Sequence, residues 1–407
     1  MADIRFTGNA VAVCQVDTFT PANVETTDIF TLTVTGLDMT TFEVSFTAAA
    51  ATVANVTAGL VAAWNASADA LCTGITAADN TTAFTLTADT AGVAFSVAAT
   101  TTDGGGTDNQ TLSKAATTAN AGPNDWSSLD NWSGGALPGG AGSQNVYIDS
   151  ATILYGLDQS GIGNALASLN VNGSKIGTNP AGGYLPAYLQ IKATAVNVGR
   201  EVGPGTTTQT VPVLVDAGAT ASTITVYNSG TNSTRPAVWI KAANAATVVR
   251  VIKGKVGVGY GGGETTTIAS VDVSYDKSVL GDSDVWIGAG VTLTTLTGDG
   301  GEIDLQCAAT TATIENGVLT TGGSGAVATV NVNGGSAVLS STGTITALNV
   351  RGDGFADCSK SSAARTITTA KIERGGNAKI KYDPGIVTMT NKIQPYDAAG
   401  MITLTAA

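Results

Sequence analysis

From Glu315 to Gly376, short runs of alternating apolar and polar residues return at nearly constant spacing, each set off by glycine. Gly317, Gly335, Gly354 and Gly376 mark the intervals, the last slightly longer than the others, with strand-like pieces between them at Ala328–Val332, Gly343–Val350 and Arg365–Thr369. A period of roughly 20 residues made of β-runs without helices is the pattern of a solenoid. The Leu/Asn spacing of leucine-rich repeats is missing. What remains for residues 121–407 is a right-handed parallel β-helix with about three short strands per coil. Val, Ile and Leu at inward positions would stack coil on coil, while Thr, Ser and Asn would face water. At the inter-strand spacing of about 4.8 Å, roughly fourteen coils make a rod on the order of 65 Å long. The last run, Met401–Thr405, would add to a neighbouring subunit or close one end.

Composition points the same way. The chain has 407 residues, of which 63 are Thr and 51 Gly, whereas Lys, Arg, Asp and Glu together number 50. Of the residues that a solvated helix needs in quantity, only Ala is abundant. Apolar residues make up 43% of the chain and alternate regularly, which argues against disorder. Histidine is absent, excluding Ser-His-Asp and Cys-His catalysis and any His-ligated metal. A net charge of −12 argues against binding a phosphate backbone. No run of about 18 apolar residues offers a membrane span. The amino terminus, Met-Ala-Asp-Ile-Arg-Phe-Thr, lacks the basic and apolar regions of a secretory signal. Cys14, Cys72, Cys307 and Cys358 are scattered without CxxC pairing and read as small buried thiols.

Residues 1–120 differ in character from the rest. They carry 2 basic and 11 acidic residues, against 17 and 20 in residues 121–407. Asp28–Thr35 and Thr41–Thr47 alternate and read as a hairpin. Val53, Val56, Leu60 and Trp64 recur at helical spacing behind a Thr52 cap. Ala83–Ala88 and Val93–Val97 alternate again, and Thr101–Ala121, with Gly104-Gly105-Gly106, reads as loop and linker. The expectation is a mainly β protein: a small acidic ββαββ domain over 1–120, with one helix on one sheet, then the β-helix.

At the start of the second part stand Gly122-Pro123-Asn124-Asp125-Trp126-Ser127, Asn131-Trp132-Ser133-Gly134-Gly135, Pro138 and Asn145-Val146-Tyr147-Ile148-Asp149. This resembles the W…NWSGG…P…V-x-I opening of many bacterial and phage β-helical surface proteins. Leu154-Tyr155-Gly156-Leu157-Asp158-Gln159 and Val291-Thr292-Leu293-Thr294-Thr295-Leu296 resemble a narrower group, encoded by phages and planctomycetes, with a similar acidic domain in front. The resemblance implies a Trp pair capping the first coil and a virion structural protein, such as a capsid decoration protein or tail appendage. It brings no catalytic residues.

Several groups could carry chemistry, and each has a plainer reading. Asp282 with Asp284, and Asp299 with Glu302 and Asp304, are carboxylate sets of the kind glycoside hydrolysis uses, or turn acids in water. Asp103, Asp108-Asn109 and Gly298-Asp299-Gly300-Gly301 offer oxygen ligands for calcium, but the EF-hand and nonapeptide spacings are missing. Trp126, Trp132, Trp239 and Trp286 are capping and packing residues or ligand platforms. Arg351-Gly352-Asp353 is an adhesion tripeptide that a Gly/Asp-rich corner also produces by chance, and the sequons at Asn55, Asn65, Asn80, Asn131, Asn172 and Asn232 follow from Thr/Ser abundance. Residues 351–392 hold eight basic side chains against four acidic ones, suited to an acidic neighbour. No catalytic, cofactor or metal residue is expected. The function expected is that of a non-enzymatic capsid decoration or cement protein on the particle surface, homotrimeric and partnered by capsid or other virion proteins. The alternatives are a tail fibre or tailspike that binds or cleaves host glycans, and a bacterial surface adhesin.

Overall fold

The computed structural model describes residues 2–36, 40–140, 142–177, 187–199, 212–229, 236–261, 263–274, 284–373, 376–393 and 404–406. The chain is mainly β, and its dominant feature is one large sheet in which every strand pairing is parallel.

That sheet is organised as two interleaved ladders. In the first, Gln144–Asp149 pairs with Ser168–Asn172, which pairs with Ala195–Val198, then Thr223–Val226, Val248–Val251 and onward to Val387–Ile393. In the second, Val213–Asp216 is followed by Val238–Lys241, Lys255–Val258, Asp284–Ile287 and, further on, Ser336–Leu339, Phe355–Asp357, Lys379–Tyr382 and Leu404–Ala406. Two long strands, Val291–Leu305 and Ala309–Thr321, serve both ladders, one with each half. A third set runs beside them. Asp158–Gln159 pairs with Leu189–Ile191, which runs into Val213–Asp216. Further on, residues 266–268 pair with 291–293, Leu293 with Ala309, Ala309 with Val327, Ile345 with Ile367, and 365–367 with 387–389, these later pairs each set off from the first ladder by one unpaired residue. Through the later repeats there are thus three paired segments per repeat, the number expected. The repeat itself is as read: Ala312, Val330 and Leu348 are successive partners at equal sequence spacing, and Ala370 follows after a slightly longer interval.

Alternation decides which side is buried. Val285, Ile303, Leu319, Ala337, Ala356 and Ile380 occupy one register column and all lie in a single continuous core. The residues between them face out. Polar columns repeat there too: Asn197 Nδ2 donates to Asn170 at 2.9 Å, and Asn349 Nδ2 to Asn331 at 2.9 Å. Gly317, Gly335 and Gly354 each stand just before a second-ladder strand in matching register, Val318 to Ser336 to Phe355.

The acidic unit is two antiparallel sheets, not one. Thr41–Thr47, Ile29–Thr35 and Ser96–Thr102 form a three-stranded sheet, while Ile75–Asp79, Phe84–Ala88, Val16–Ala22 and Thr111–Thr118 form a four-stranded one. The hairpin and the helix fall where the sequence places them. The helix spans Val53–Asn65, Thr52 Oγ1 accepts from Asn55 N, and Val56, Leu60 and Trp64 are buried. The run expected to be linker contains the strand Thr111–Thr118. Of its residues only Leu112 is buried, so its apolar signal is weak, and it is held instead by backbone pairing and by Lys114, 2.9 Å from the buried Asp17.

The acidic unit does not begin at residue 1. Ala2–Arg5 pairs in parallel with Gln144–Asp149 and Phe6 packs on Trp132, so the large sheet starts at the amino terminus. The acidic unit interrupts it, leaving and returning through the bridge between Val13 and Ala121. A short strand with one buried side chain, Ile4, gives too little alternation to announce itself by periodicity.

Candidate functional site

The outward side of the second ladder carries the densest chemistry. Parallel register sets Asp284 beside Glu302 and Trp286 beside Asp304, because these pairs lie one repeat apart. With Val318 and Thr320 of the next strand they line a groove of about 440 Å³. Trp286 is part-exposed on its floor and Glu302 is exposed. Two of the three acids are already engaged: Lys255 Nζ lies 2.9 Å from Asp284, and the Gln306 amide donates to Asp304. Asp299, grouped with Glu302 and Asp304 in the sequence, lies apart. The register shifts twice between Gly298 and Glu302, and Asp299 there accepts from Asn316 Nδ2 at 2.7 Å. Asp282 lies outside the described residues.

Beyond Trp286 the aromatic surface continues. Tyr260 is 6.0 Å from Trp286 between ring centres and 4.9 Å, edge to face, from Trp239. Trp239, Leu214 and Tyr188 form a buried cluster separate from the main core. Tyr188 donates its hydroxyl to Glu264 at 2.9 Å, and Gly261 N donates to the same carboxylate oxygen at 3.0 Å. Burial, and then the neighbouring Glu264 carboxylate, push the Tyr188 phenol upward, so it remains a neutral donor. Lys241 sits over the Tyr188 ring at 5.2 Å. Of this cluster the sequence reading singled out only Trp239. The signal lay in Val213-Leu214-Val215 and Val238-Trp239-Ile240, where an apolar residue takes the middle, outward place that alternation reserves for a polar one.

The other candidates resolve into structure. Trp126 and Trp132 are buried, with ring centres 4.6 Å apart, and Trp132 packs edge to face on Phe6 at the start of the large sheet. Asp103 accepts from Gly106 N and Asp108 from Gln110 Nε2, which is ordinary turn bonding. Among the described residues no group of three or more Cys, Asp or Glu is placed to hold a metal ion. In the Arg-Gly-Asp turn, Arg351 Nε donates to Asn333 at 2.5 Å and Asp353 accepts from Asn377 N at 3.2 Å. Asn131 is fully buried and cannot carry a glycan, and Asn232 lies outside the described residues. Of the basic stretch, Arg365 is buried and donates to the Cys358 carbonyl, while Lys360, Lys379 and Lys392 are exposed. A second, mainly apolar cleft of about 440 Å³ lies where the acidic unit meets the large sheet, lined by Val34, Ile75, Phe95 and Tyr155 among others.

All four cysteines are free, and three are buried. Burial pushes the Cys307 thiol up to about 11 and the Cys358 thiol up to about 12, so thiolate is scarce at neutral pH. An aromatic disulfide reagent at pH 8 should therefore modify Cys14 alone in the native chain and all four thiols in denaturant. Fast modification of Cys358 with the fold intact would contradict the packing.

No protein-family model, curated protein or solved structure matches this chain.

Proposed function

We propose that the large sheet winds as a right-handed parallel β-helix and that the chain is a non-enzymatic structural protein on the surface of a virus particle, a capsid decoration or cement protein. One observation carries the reading: parallel partners such as Val330 and Leu348 recur once per repeat over one continuous apolar core. Parallel neighbours need a crossover of a dozen or more residues, usually a helix. Here a strand of the other ladder occupies that crossover, which is what winding requires. A rod of this kind offers long sides for neighbours, with the acidic unit at the end where the chain begins. It would act by covering and bridging capsid subunits, stabilising only the assembled state. The expected homotrimer and its capsid partners belong to this reading. Particles lacking the protein should release their genome at a lower temperature than complete ones. Equal heat resistance would remove the cement role.

The groove favours a second reading, a tail fibre or tailspike that holds a host glycan. A part-exposed Trp286 beside Glu302 and Asp304 has the stacking face and acceptors that sugars use. Cleavage needs two cooperating carboxyl groups, and Lys255 and Gln306 already occupy Asp284 and Asp304. Binding without cleavage is thus the form this reading takes. Host surface polysaccharide should quench Trp286 fluorescence, and the quenching should vanish in Trp286→Ala; an unchanged titration in that variant would discard the groove.

A further inference from the structure

The outward face of the second ladder is ordered along the stack in a way that reaches beyond any role on a particle. Two register columns run side by side. One reads Glu302, Val318, Ser336, Phe355, Lys379, and the other Asp304, Thr320, Val338, Asp357, Lys381. Within this stretch Glu302 and Asp304 stand two strands before Ser336 and Val338, Lys379 and Lys381 stand two strands after them, and Val318, Val338 and Phe355 lie between. Before Glu302 the column continues to Asp284, which is paired with Lys255. Glu302 and Lys379 are exposed, and the apolar three are part-exposed although they point away from the core. Successive strands are about 4.8 Å apart, so the charged ends are separated by about 19 Å.

A two-fold axis laid along the middle strand, through Ser336 and Val338, maps this strip onto itself with its ends exchanged. Glu302 then meets Lys379 of a second copy and Asp304 meets Lys381. Val318 meets Phe355 and Val338 meets itself, while Asp357, buried and bonded to Ser359, takes no part. A closed two-fold interface requires such self-complementarity. The opposite arrangement, two copies side by side in the same direction, would set acid on acid and lysine on lysine. We infer that this face is an antiparallel self-association surface, whose partner is a second copy of this chain. The strip alone is well under the roughly 800 Å² per partner of a standard interface, which places the contact in the transient class. It doubles whatever unit the protein otherwise forms, dimers from monomers or hexamers from trimers. Its failure would leave the proposed function standing.

Sedimentation velocity of the full chain over a concentration series tests this. Self-association with doubling of mass is expected, weakening as salt rises. Glu302→Lys and Lys379→Glu, both at exposed positions, should each weaken it by about tenfold, since each change disturbs two symmetric contacts. The Glu302→Lys/Lys379→Glu double variant should recover it, as should an equimolar mixture of the two single variants. That recovery also shows that neither variant is misfolded. Absence of doubling, doubling indifferent to these charges, or failure of both the double variant and the mixture to recover would each overturn the inference.

Discussion

Replacing Gly335 by alanine should destabilise the large sheet by about 3 kcal/mol, whereas the same change at Gly218 should cost about 1 kcal/mol. Both residues hold a left-handed backbone, with φ of +62° at Gly335 and +53° at Gly218. An L side chain pays roughly 1–2 kcal/mol in that region at either site. The surroundings differ. A Cβ on Gly335 would lie 2.4 Å from the Gly317 carbonyl oxygen, in the strand turn directly beneath, while nothing stands within 4 Å of one on Gly218. Backbone cannot swing aside as a flexible side chain can, so the overlap must be relieved by parting two repeats. The melting temperature of Gly335→Ala should fall by several degrees, clearly more than that of Gly218→Ala. Equal shifts for the two variants would mean that successive turns are not in contact at Gly317 and Gly335.

That contact is one the repeat spacing anticipates, and it shows what kind of information the sequence holds. Periodicity reports burial, so it finds elements whose alternate positions are all buried. Ile29–Thr35 follows such a pattern along its whole length, as does the Val56, Leu60, Trp64 face of the helix. It fails where pairing is held by backbone bonds with little apolar area. Thr111–Thr118 buries only Leu112, and Ala2–Arg5 only Ile4, and both read as ordinary chain. The two-sheet arrangement of the acidic unit was hidden for another reason. Phe84–Ala88 and Ser96–Thr102 are near in sequence but choose partners in different sheets, Val16–Ala22 and Ile29–Thr35. In the groove, sequence proximity misleads in the opposite sense. Asp299 is close to Glu302 in the chain yet a glycine turn separates them, whereas Asp284 is brought to Glu302 by the repeat. Residues one period apart are the true neighbours in such a sheet, and a search for paired groups has to be made at that spacing.

Asn131→Ala should loosen the neck through which the acidic unit interrupts the large sheet, at a cost of about 3 kcal/mol. The Asn131 side chain is fully buried and makes three bonds across the break in the sheet. Its Oδ1 accepts from Ala10 N at 2.8 Å, on the outgoing chain, and its Nδ2 donates at 2.7 Å to both Gly122 O and Asp125 O, on the returning chain. Alanine removes all three bonds at once. The Ala10 N–H is left buried and unpaired, worth about 1–3 kcal/mol, while Gly122 O and Asp125 O lose their stronger bond and keep only the longer ones from Asp125 N and Ser128 N, less what an entering water recovers. Asn131→Asp is the sharper probe. A carboxylate still accepts from Ala10 N but cannot donate to the two carbonyls, and it sets a negative charge against both oxygens, so it should be no better tolerated than alanine. Hydrogen exchange locates the effect. Amides of residues 4–10 and 122–132 should lose protection in both variants, and the buried indoles of Trp126 and Trp132 should shift their emission to the red, while Ile345–Val350, far along the stack, keeps its protection. Uniform loss along the whole sheet would instead mean that the structure unfolds as one unit from any point. Unchanged protection at 4–10 would mean that the first strand is held by Gln144–Asp149 alone, and that the side chain linking outgoing and returning chain has no mechanical part in joining the acidic unit to the rest.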